Sequence, residues 1–162
     1  MRNSQLPADV TVKCLRKSKE LQKYFYNLGE TRNIMNALVK EKTHNTPYIH
    51  LDPNGEMYIE GRSILENPAD FYQELLDWLD SYSAHLPSKT LLNIKLEYIN
   101  SSSSKFITAI LRYLSDYYQQ GHESVVNWHY EKDDESIFEL GQNYKNTMYF
   151  TINLISYTDH LS

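Results

Sequence analysis

Apolar residues at helical spacing dominate the N-terminal part of the chain. Between residues 15 and 42 they recur every three, four or seven positions, which predicts an amphipathic helix. A helix of this kind packs on the rest of the molecule or on a second copy, giving a possible homodimer through residues 15–42. A basic helix docking on a membrane surface or a partner is the alternative. Residues 1–14 show no period and are expected to be flexible. The apolar positions are Leu21, Tyr24, Phe25, Leu28, Met35, Leu38 and Val39.

The pattern changes after a polar joint at residues 42–47, which contains Pro47. Apolar and polar residues alternate over residues 48–52 and again over residues 57–60, and Asn54-Gly55 lies between these runs. Because Asn and Gly both tolerate a positive φ, this arrangement predicts a β-hairpin. We therefore expect an N-terminal extension over residues 1–45 and a folded domain over residues 46–162.

Helices and strands are expected to alternate through the rest of the chain. Asn67 before Pro68 is typical of a helix start, with Asn67 as the cap. The order β-β-α-β-α-β-α-β predicts an α/β fold, with helices packed on a mixed sheet of about five strands. After the hairpin, the expected elements are a helix over 67–82, a strand over 90–99, a helix over 106–118 that ends at Gly121, a strand over 125–130, a helix over 133–145 and a strand over 148–155.

The composition and the charge of the chain favour some classes of function and disfavour others. The 162 residues fit one domain, and 41% hydrophobic residues suffice for a packed core. The net charge of −5 divides into +5 over residues 1–45 and −10 over residues 46–162. The negative charge of residues 46–162 disfavours nucleic acid as the main partner, because binding to phosphates depends on a basic surface. The 14 tyrosines place many hydroxyl groups in apolar surroundings, where each needs a hydrogen-bond partner or water.

The sequence contains one cysteine, and it shows neither a membrane-spanning run nor a secretory signal. Cys14 is the only cysteine, so neither an intrachain disulfide nor a zinc cluster built on cysteines can form. No apolar run approaches the roughly 18 residues that span a bilayer, and the N-terminus lacks the apolar segment of a secretory signal. These features predict a soluble cytoplasmic protein.

Motifs for phosphate, dinucleotide or metal binding are absent from the sequence. The five glycines are too widely spaced for a phosphate-binding loop or a dinucleotide fingerprint. His50 and His129 lie on predicted strands and could meet across the sheet, but a metal site needs at least three converging ligands. The acidic run at residues 133–135 resembles a magnesium site, although acids in the first turn of a helix are more simply explained by the helix dipole. We expect no metal and no cofactor.

The segment Tyr98-Ile99-Asn100-Ser101-Ser102-Ser103-Ser104-Lys105 differs from the rest. It lies at the carboxyl end of the most hydrophobic strand, directly before a helix, and function concentrates at this edge of open α/β sheets. One serine, Ser103 or Ser104, is expected to cap the helix. Four serines exceed that need, and a hydroxyl before a helix N-terminus suits a phosphoacceptor because N–H groups and the dipole stabilise a phosphate.

The chain resembles the SiaC-like regulatory phosphoproteins of bacteria. The resemblance is colinear over about residues 46–155. It departs at Leu65, where the family often has Pro, and at Ser101, where the family can have Thr. It is carried by residues 58–67 (YIEGRSILEN), 71–79 (FYQELLDWL), 98–105 (YINSSSSK) and 128–141 (WHYEKDDESIFELG).

This resemblance implies a fold similar to STAS domains and a partner switch without enzymatic activity. A Ser/Thr kinase with a histidine-kinase-like ATPase fold would phosphorylate Ser101, and a PP2C-type phosphatase would remove the phosphate. Asn100 and Ser102 flank the acceptor, and Ser103, Ser104 and Lys105 complete the partner-binding segment. The unphosphorylated form would bind and activate a diguanylate cyclase, raising cyclic di-GMP and favouring biofilm formation.

Two other classes of function remain as alternatives. One is a small α/β enzyme that uses the strand ends near Ser101, with His129 or the acids at residues 133–135. The other is a simple dimerisation or scaffold module. An enzyme requires a deep pocket with convergent polar groups, whereas a switch requires only a shallow surface around Ser101.

Overall fold

The computed structural model describes residues 35–158. These residues form a sheet of six strands and three helices. The strands are β1 (Leu38–Lys40), β2 (Tyr48–Leu51), β3 (Glu56–Ser63), β4 (Lys89–Ile99), β5 (Glu123–Glu131) and β6 (Thr151–Tyr157). The helices are α1 (Ala69–Tyr82), α2 (Ser101–Gln119) and α3 (Glu135–Thr147), and a short 3-10 turn, Ser83–His85, follows α1.

The strands lie in the sheet in the same order as in the chain. β1, β2 and β3 are antiparallel neighbours, whereas β3 to β6 are parallel and are joined through α1, α2 and α3. Because the strand order never reverses, right-handed crossovers place all three helices on one face of the sheet. This mixed α/β architecture confirms the predicted fold class and adds one strand to the expected five.

The core lies between the sheet and the helices. Alternate strand residues are fully buried there, whereas their neighbours on the opposite face are partly exposed. Four buried or nearly buried tyrosines place their hydroxyls on hydrogen-bond partners, as the composition predicted. The pairs are Tyr72 with Ser63 at 2.8 Å, Tyr82 with Thr90 at 2.8 Å, Tyr117 with the Leu79 carbonyl at 2.6 Å and Tyr144 with Thr108 at 2.9 Å.

The hairpin is confirmed, with Gly55 at a φ of 101° between β2 and β3. The helix predicted over residues 15–42 is wrong at its C-terminal end. Residues 38–40 form β1, which pairs with β2, because backbone hydrogen bonding at the sheet edge overrides a local apolar spacing. Residues 15–34 of that prediction lie outside the described residues, as do residues 1–14. The expected boundary at residue 46 falls between β1 and β2.

The predicted cap of α1 is also wrong. The N-cap position is Pro68, which makes no side-chain hydrogen bond there, so Asn67 does not cap the helix. The Pro68 carbonyl instead accepts the first helical hydrogen bond, from the Tyr72 N–H at 3.0 Å. Proline fixes its φ near the helical value, here −75°, and so starts the helix by its backbone alone.

Candidate functional site

The candidate site lies at the carboxyl edge of the parallel strands, where β4 passes into α2. A single residue, Asn100, separates the two elements. Its side-chain Oδ1 accepts a hydrogen bond from the Ser103 N–H at 2.9 Å, which makes Asn100 the N-cap of α2. The prediction that Ser103 or Ser104 caps this helix is therefore wrong. All four serines belong to the first turn of α2.

Asn100 also ties the junction to the end of β3. Its Nδ2 donates to the Leu65 carbonyl at 2.9 Å, and its backbone N–H donates to the Ser63 carbonyl at 3.0 Å. The Asn100 carbonyl accepts from the Ser104 N–H at 3.0 Å. An asparagine carries both a donor and an acceptor on its side chain, so it can cap a helix and hold a neighbouring strand end together. Asn100 thus fixes the position of Ser101.

The four serine hydroxyls differ in accessibility. Ser101 is exposed, Ser102 and Ser104 are half-buried, and Ser103 is fully buried. The Ser104 hydroxyl donates to the Ser101 carbonyl at 2.9 Å, and the Ser103 hydroxyl has no hydrogen-bond partner among the described residues. Ser101 is therefore the most accessible hydroxyl of the four. Lys105, the remaining residue of the predicted segment, is exposed on the next position of α2.

Ser101 lies at an open groove of about 360 Å³ between the N-terminal ends of α2 and α3. The residues from the β4–α2 side are Glu97, Tyr98, Ile99, Asn100, Ser101 and Ser104. The residues from α3 and its cap are Asp134, Ser136, Ile137 and Leu140. Four of these ten side chains are apolar, two are acidic, and none of the described residues that line the groove is a lysine or arginine.

A bulge in β4 shapes one side of the groove. Gly61 pairs with Leu96 and Arg62 pairs with Tyr98, so Glu97 has no partner on β3. The bulge interrupts the alternation of buried and exposed residues, and Tyr98 is 50% exposed where regular pleating would bury it. Bulges commonly redirect a side chain beside a functional site. Here the result is an exposed aromatic ring near Ser101.

The acidic run at residues 133–135 contributes to the groove, but as a helix cap. The Asp134 Oδ1 accepts a hydrogen bond from the Ile137 N–H at 3.0 Å, and α3 begins at Glu135. This confirms the helix-start interpretation. Among residues 35–158, no cluster of three or more His, Cys, Asp or Glu side chains could hold a metal ion.

The two histidines considered for the sheet do not meet. His50 lies on β2 and His129 on β5, and β3 and β4 separate these strands. Burial lowers the pKa of His129, and the neighbouring Lys95 lowers it further. His129 does not line the groove, so the structure does not bring it together with Ser101. Of the residues named for an enzymatic site, Asp134 lines the groove with Ser101, whereas His129 does not.

Sequence reasoning missed the contribution of the α3 side to the site, in particular Ser136, Ile137 and Leu140. The available signal was the strand order: parallel β4 and β5 are neighbours, so the helices that follow them begin side by side. Glu97 was missed as a groove residue because a bulge leaves no clear mark in a sequence, whereas Tyr98 begins the segment singled out from the sequence.

Comparison with known proteins places the chain in a family. The model of the SiaC family of regulatory phosphoproteins matches residues 40–157. The chain belongs to the SiaC family. Among curated relatives, an uncharacterized protein of Pseudomonas aeruginosa (strain UCBPP-PA14) is 30% identical over 104 residues, which is 64% of this chain and 82% of that protein.

Solved SiaC structures share the fold. Apo-SiaC from Pseudomonas aeruginosa is 28% identical, with a TM-score of 0.69 over 75% of this chain and 99% of that one. A second similar structure is that of the diguanylate cyclase SiaD in complex with its activator SiaC, also from Pseudomonas aeruginosa. The matched chain is 27% identical, with a TM-score of 0.70 over 74% of this chain and 99% of that one. These matches confirm the resemblance to SiaC inferred from the sequence.

None of the helices within residues 35–158 is both long enough and apolar enough to cross a lipid bilayer.

Proposed function

We propose that this chain is a non-enzymatic regulator in a bacterial partner-switching system, controlled by phosphorylation of Ser101. A Ser/Thr kinase with a histidine-kinase-like ATPase fold adds the phosphate, and a PP2C-type phosphatase removes it. The unphosphorylated chain binds and activates a diguanylate cyclase in the cytoplasm, and the resulting cyclic di-GMP favours biofilm formation. The observation that carries the proposal is the exposed Ser101 hydroxyl beside an open groove.

Family membership supports the choice of partner. The chain belongs to a family of regulatory phosphoproteins, and the SiaC of Pseudomonas aeruginosa is the activator of the cyclase SiaD with which it was crystallised. The shared fold, with 99% of that chain covered, supports the same kind of partner for this chain.

The local structure explains why Ser101 suits a reversible phosphate. Ser101 is the first residue of the 19-residue helix α2, where backbone N–H groups and the helix dipole favour negative charge. A kinase can reach its hydroxyl without unfolding the chain, whereas the buried hydroxyl of Ser103 is inaccessible in the folded state. Phosphorylation therefore changes the charge of the surface while leaving the fold in place.

The same geometry explains how a phosphate would release a partner. A phosphate carries a charge of about −1.5 to −2 at pH 7. Covering this charge with a partner surface removes its water, and the cost is high unless an opposite charge pairs with it. The groove offers none, since its charged residues are Glu97 and Asp134.

Capture of the cyclase from the source bacterium tests the proposal. Tagged wild-type, Ser101→Ala and Ser101→Asp chains are used as bait, and formation of cyclic di-GMP from GTP is measured in each eluate. We expect Ser101→Ala to retain the most cyclase activity and Ser101→Asp to retain roughly tenfold less. Ser88→Asp is the matched control, because Ser88 is exposed and precedes β4 at the opposite edge of the sheet.

Two results would contradict the proposal. One is the absence of cyclase activity from every eluate, including that of Ser101→Ala. The other is equal activity with Ser101→Ala and Ser101→Asp. Unfolding can be excluded as a cause, because an acidic residue in the first turn of α2 should maintain or raise the helix stability.

A further inference from the structure

The groove beside Ser101 has an apolar wall that the phosphate switch alone does not explain. Tyr98 and Ile99 at the end of β4 line this space together with Ile137 and Leu140 of α3. Tyr98 is 50% exposed, and it is the aromatic side chain among the residues that line the groove. Large aromatic side chains at the centre of protein interfaces commonly provide most of the binding energy.

The charges of the groove restrict what could occupy it. Glu97 and Asp134 are its charged lining residues. Arg62 pairs with Tyr98 in the sheet register, and Lys105 is exposed on α2, but neither lines the groove. A cationic partner group beside Ser101 would be attracted more strongly after phosphorylation, because the phosphate adds negative charge. An anionic group would be repelled by Glu97 and Asp134 even before phosphorylation.

Only an uncharged occupant fits both the acidic lining and release by phosphorylation. We propose that the groove receives an uncharged, apolar side chain of the diguanylate cyclase, that Tyr98 anchors it, and that phosphorylated Ser101 releases it through desolvation. This inference rests on the proposed function and adds the chemistry of the docking segment. The occupant covers the groove and excludes water, and this raises the energy of a charge at position 101 beside Glu97 and Asp134.

An isosteric pair of variants separates desolvation from long-range repulsion. Ser101→Asn and Ser101→Asp have nearly the same shape and differ in charge. We expect Ser101→Asp to bind the captured cyclase at least roughly tenfold more weakly than Ser101→Asn. Raising NaCl from about 0.1 M to about 1 M, which shortens the Debye length from about 10 Å to about 3 Å, should not restore binding. Restoration by salt would overturn desolvation as the cause.

Substitution of the groove residues tests the occupant itself. We expect Tyr98→Ala to weaken binding by roughly tenfold or more, and Glu97→Gln to partly rescue the binding of Ser101→Asp. Tyr149→Ala is the matched control, because Tyr149 is 77% exposed and lies outside this groove. Thermal unfolding of each variant verifies that the fold is retained.

The results that overturn this inference differ from those that overturn the proposed function. If Tyr98→Ala binds as well as wild type, Tyr98 is not an anchor. If Glu97→Lys weakens binding and salt weakens it further, the occupant is cationic. In the first case Ser101→Asp can still release the cyclase and the proposed function stands. A cationic occupant would contradict release by phosphorylation as well, because a negative charge at position 101 would attract it. If no chain captures cyclase, Ser101→Ala included, the proposed function itself is wrong.

Discussion

At the scale of single residues, Asn100 organises the candidate site. Its side chain caps α2 through Ser103 and holds the Leu65 carbonyl beyond β3, while its backbone contacts Ser63 and Ser104. Two of these hydrogen bonds lie within the turn that presents Ser101, and the other two tie that turn to the end of β3. Asn100 therefore positions Ser101, the proposed phosphoacceptor.

Two substitutions of Asn100 separate its two side-chain roles. Asn100→Asp keeps the acceptor for the Ser103 N–H but loses the donor to Leu65. Asn100→Ala loses both, and the missing cap alone costs about 0.5–2 kcal/mol. We expect the free energy of unfolding in urea to fall in the order wild type, Asn100→Asp, Asn100→Ala. Equal stability of Asn100→Ala and wild type would show that the turn does not depend on this side chain.

At the scale of elements, the contact of α3 with β5 sets one wall of the groove. Trp128 on β5 is fully buried, and its Nε1–H donates to the Ile137 carbonyl at 2.9 Å. Gly141, one turn further along α3, lies directly over the indole ring. A Cβ atom at position 141 would come within 2.4 Å of Trp128 Cδ1. The absence of a side chain at position 141 lets α3 approach the sheet closely.

Gly141→Ala should therefore destabilise the protein. Alanine is the better helix former by about 0.8–1 kcal/mol, but overpacking against a fixed, buried ring costs about 1–3 kcal/mol. We expect a net loss in the free energy of unfolding, measured by thermal or urea denaturation. Asn143→Ala, at an exposed position of the same helix, is the control and should have no such cost. Unchanged or increased stability of Gly141→Ala would contradict this packing.

The elements that could be predicted are those whose signal is local. Asn54-Gly55 requires a turn because of backbone conformation, and the start of α3 is marked by an acid that caps it. β1 could not be predicted, because three residues become a strand only through pairing with β2. The choice of Asn100 over a serine as cap depends on Leu65, which is distant in sequence. The groove likewise depends on α2 and α3 beginning side by side, which follows from the order of the strands.

At the scale of the whole molecule, partly buried histidines couple folding to pH. Burial lowers the pKa of His129, with Lys95 acting in the same direction and Glu60 opposing. Burial also lowers the pKa of His122, with Glu123 opposing. The unfolded chain then binds protons more readily than the folded chain near and below pH 6.5. Their contribution to stability is complete above that pH and is lost as the pH falls through the lower folded pKa.

We therefore expect the melting temperature to fall between about pH 7 and about pH 5. Replacing His129 by Gln removes one of the two groups, so the fall should become smaller. Melting curves of wild type and His129→Gln at matched ionic strength measure this difference. A larger or unchanged dependence on pH in His129→Gln would contradict the proposed linkage.

The central claim for the whole molecule is a reversible phosphate on Ser101. The most direct test is intact-mass and phosphopeptide analysis of the protein purified from its native cells. The account predicts an adduct of about 80 Da, the mass of one phosphoryl group, that maps to Ser101 and disappears on phosphatase treatment. Absence of the adduct under all growth conditions, or a phosphate that maps only to another residue, would contradict it.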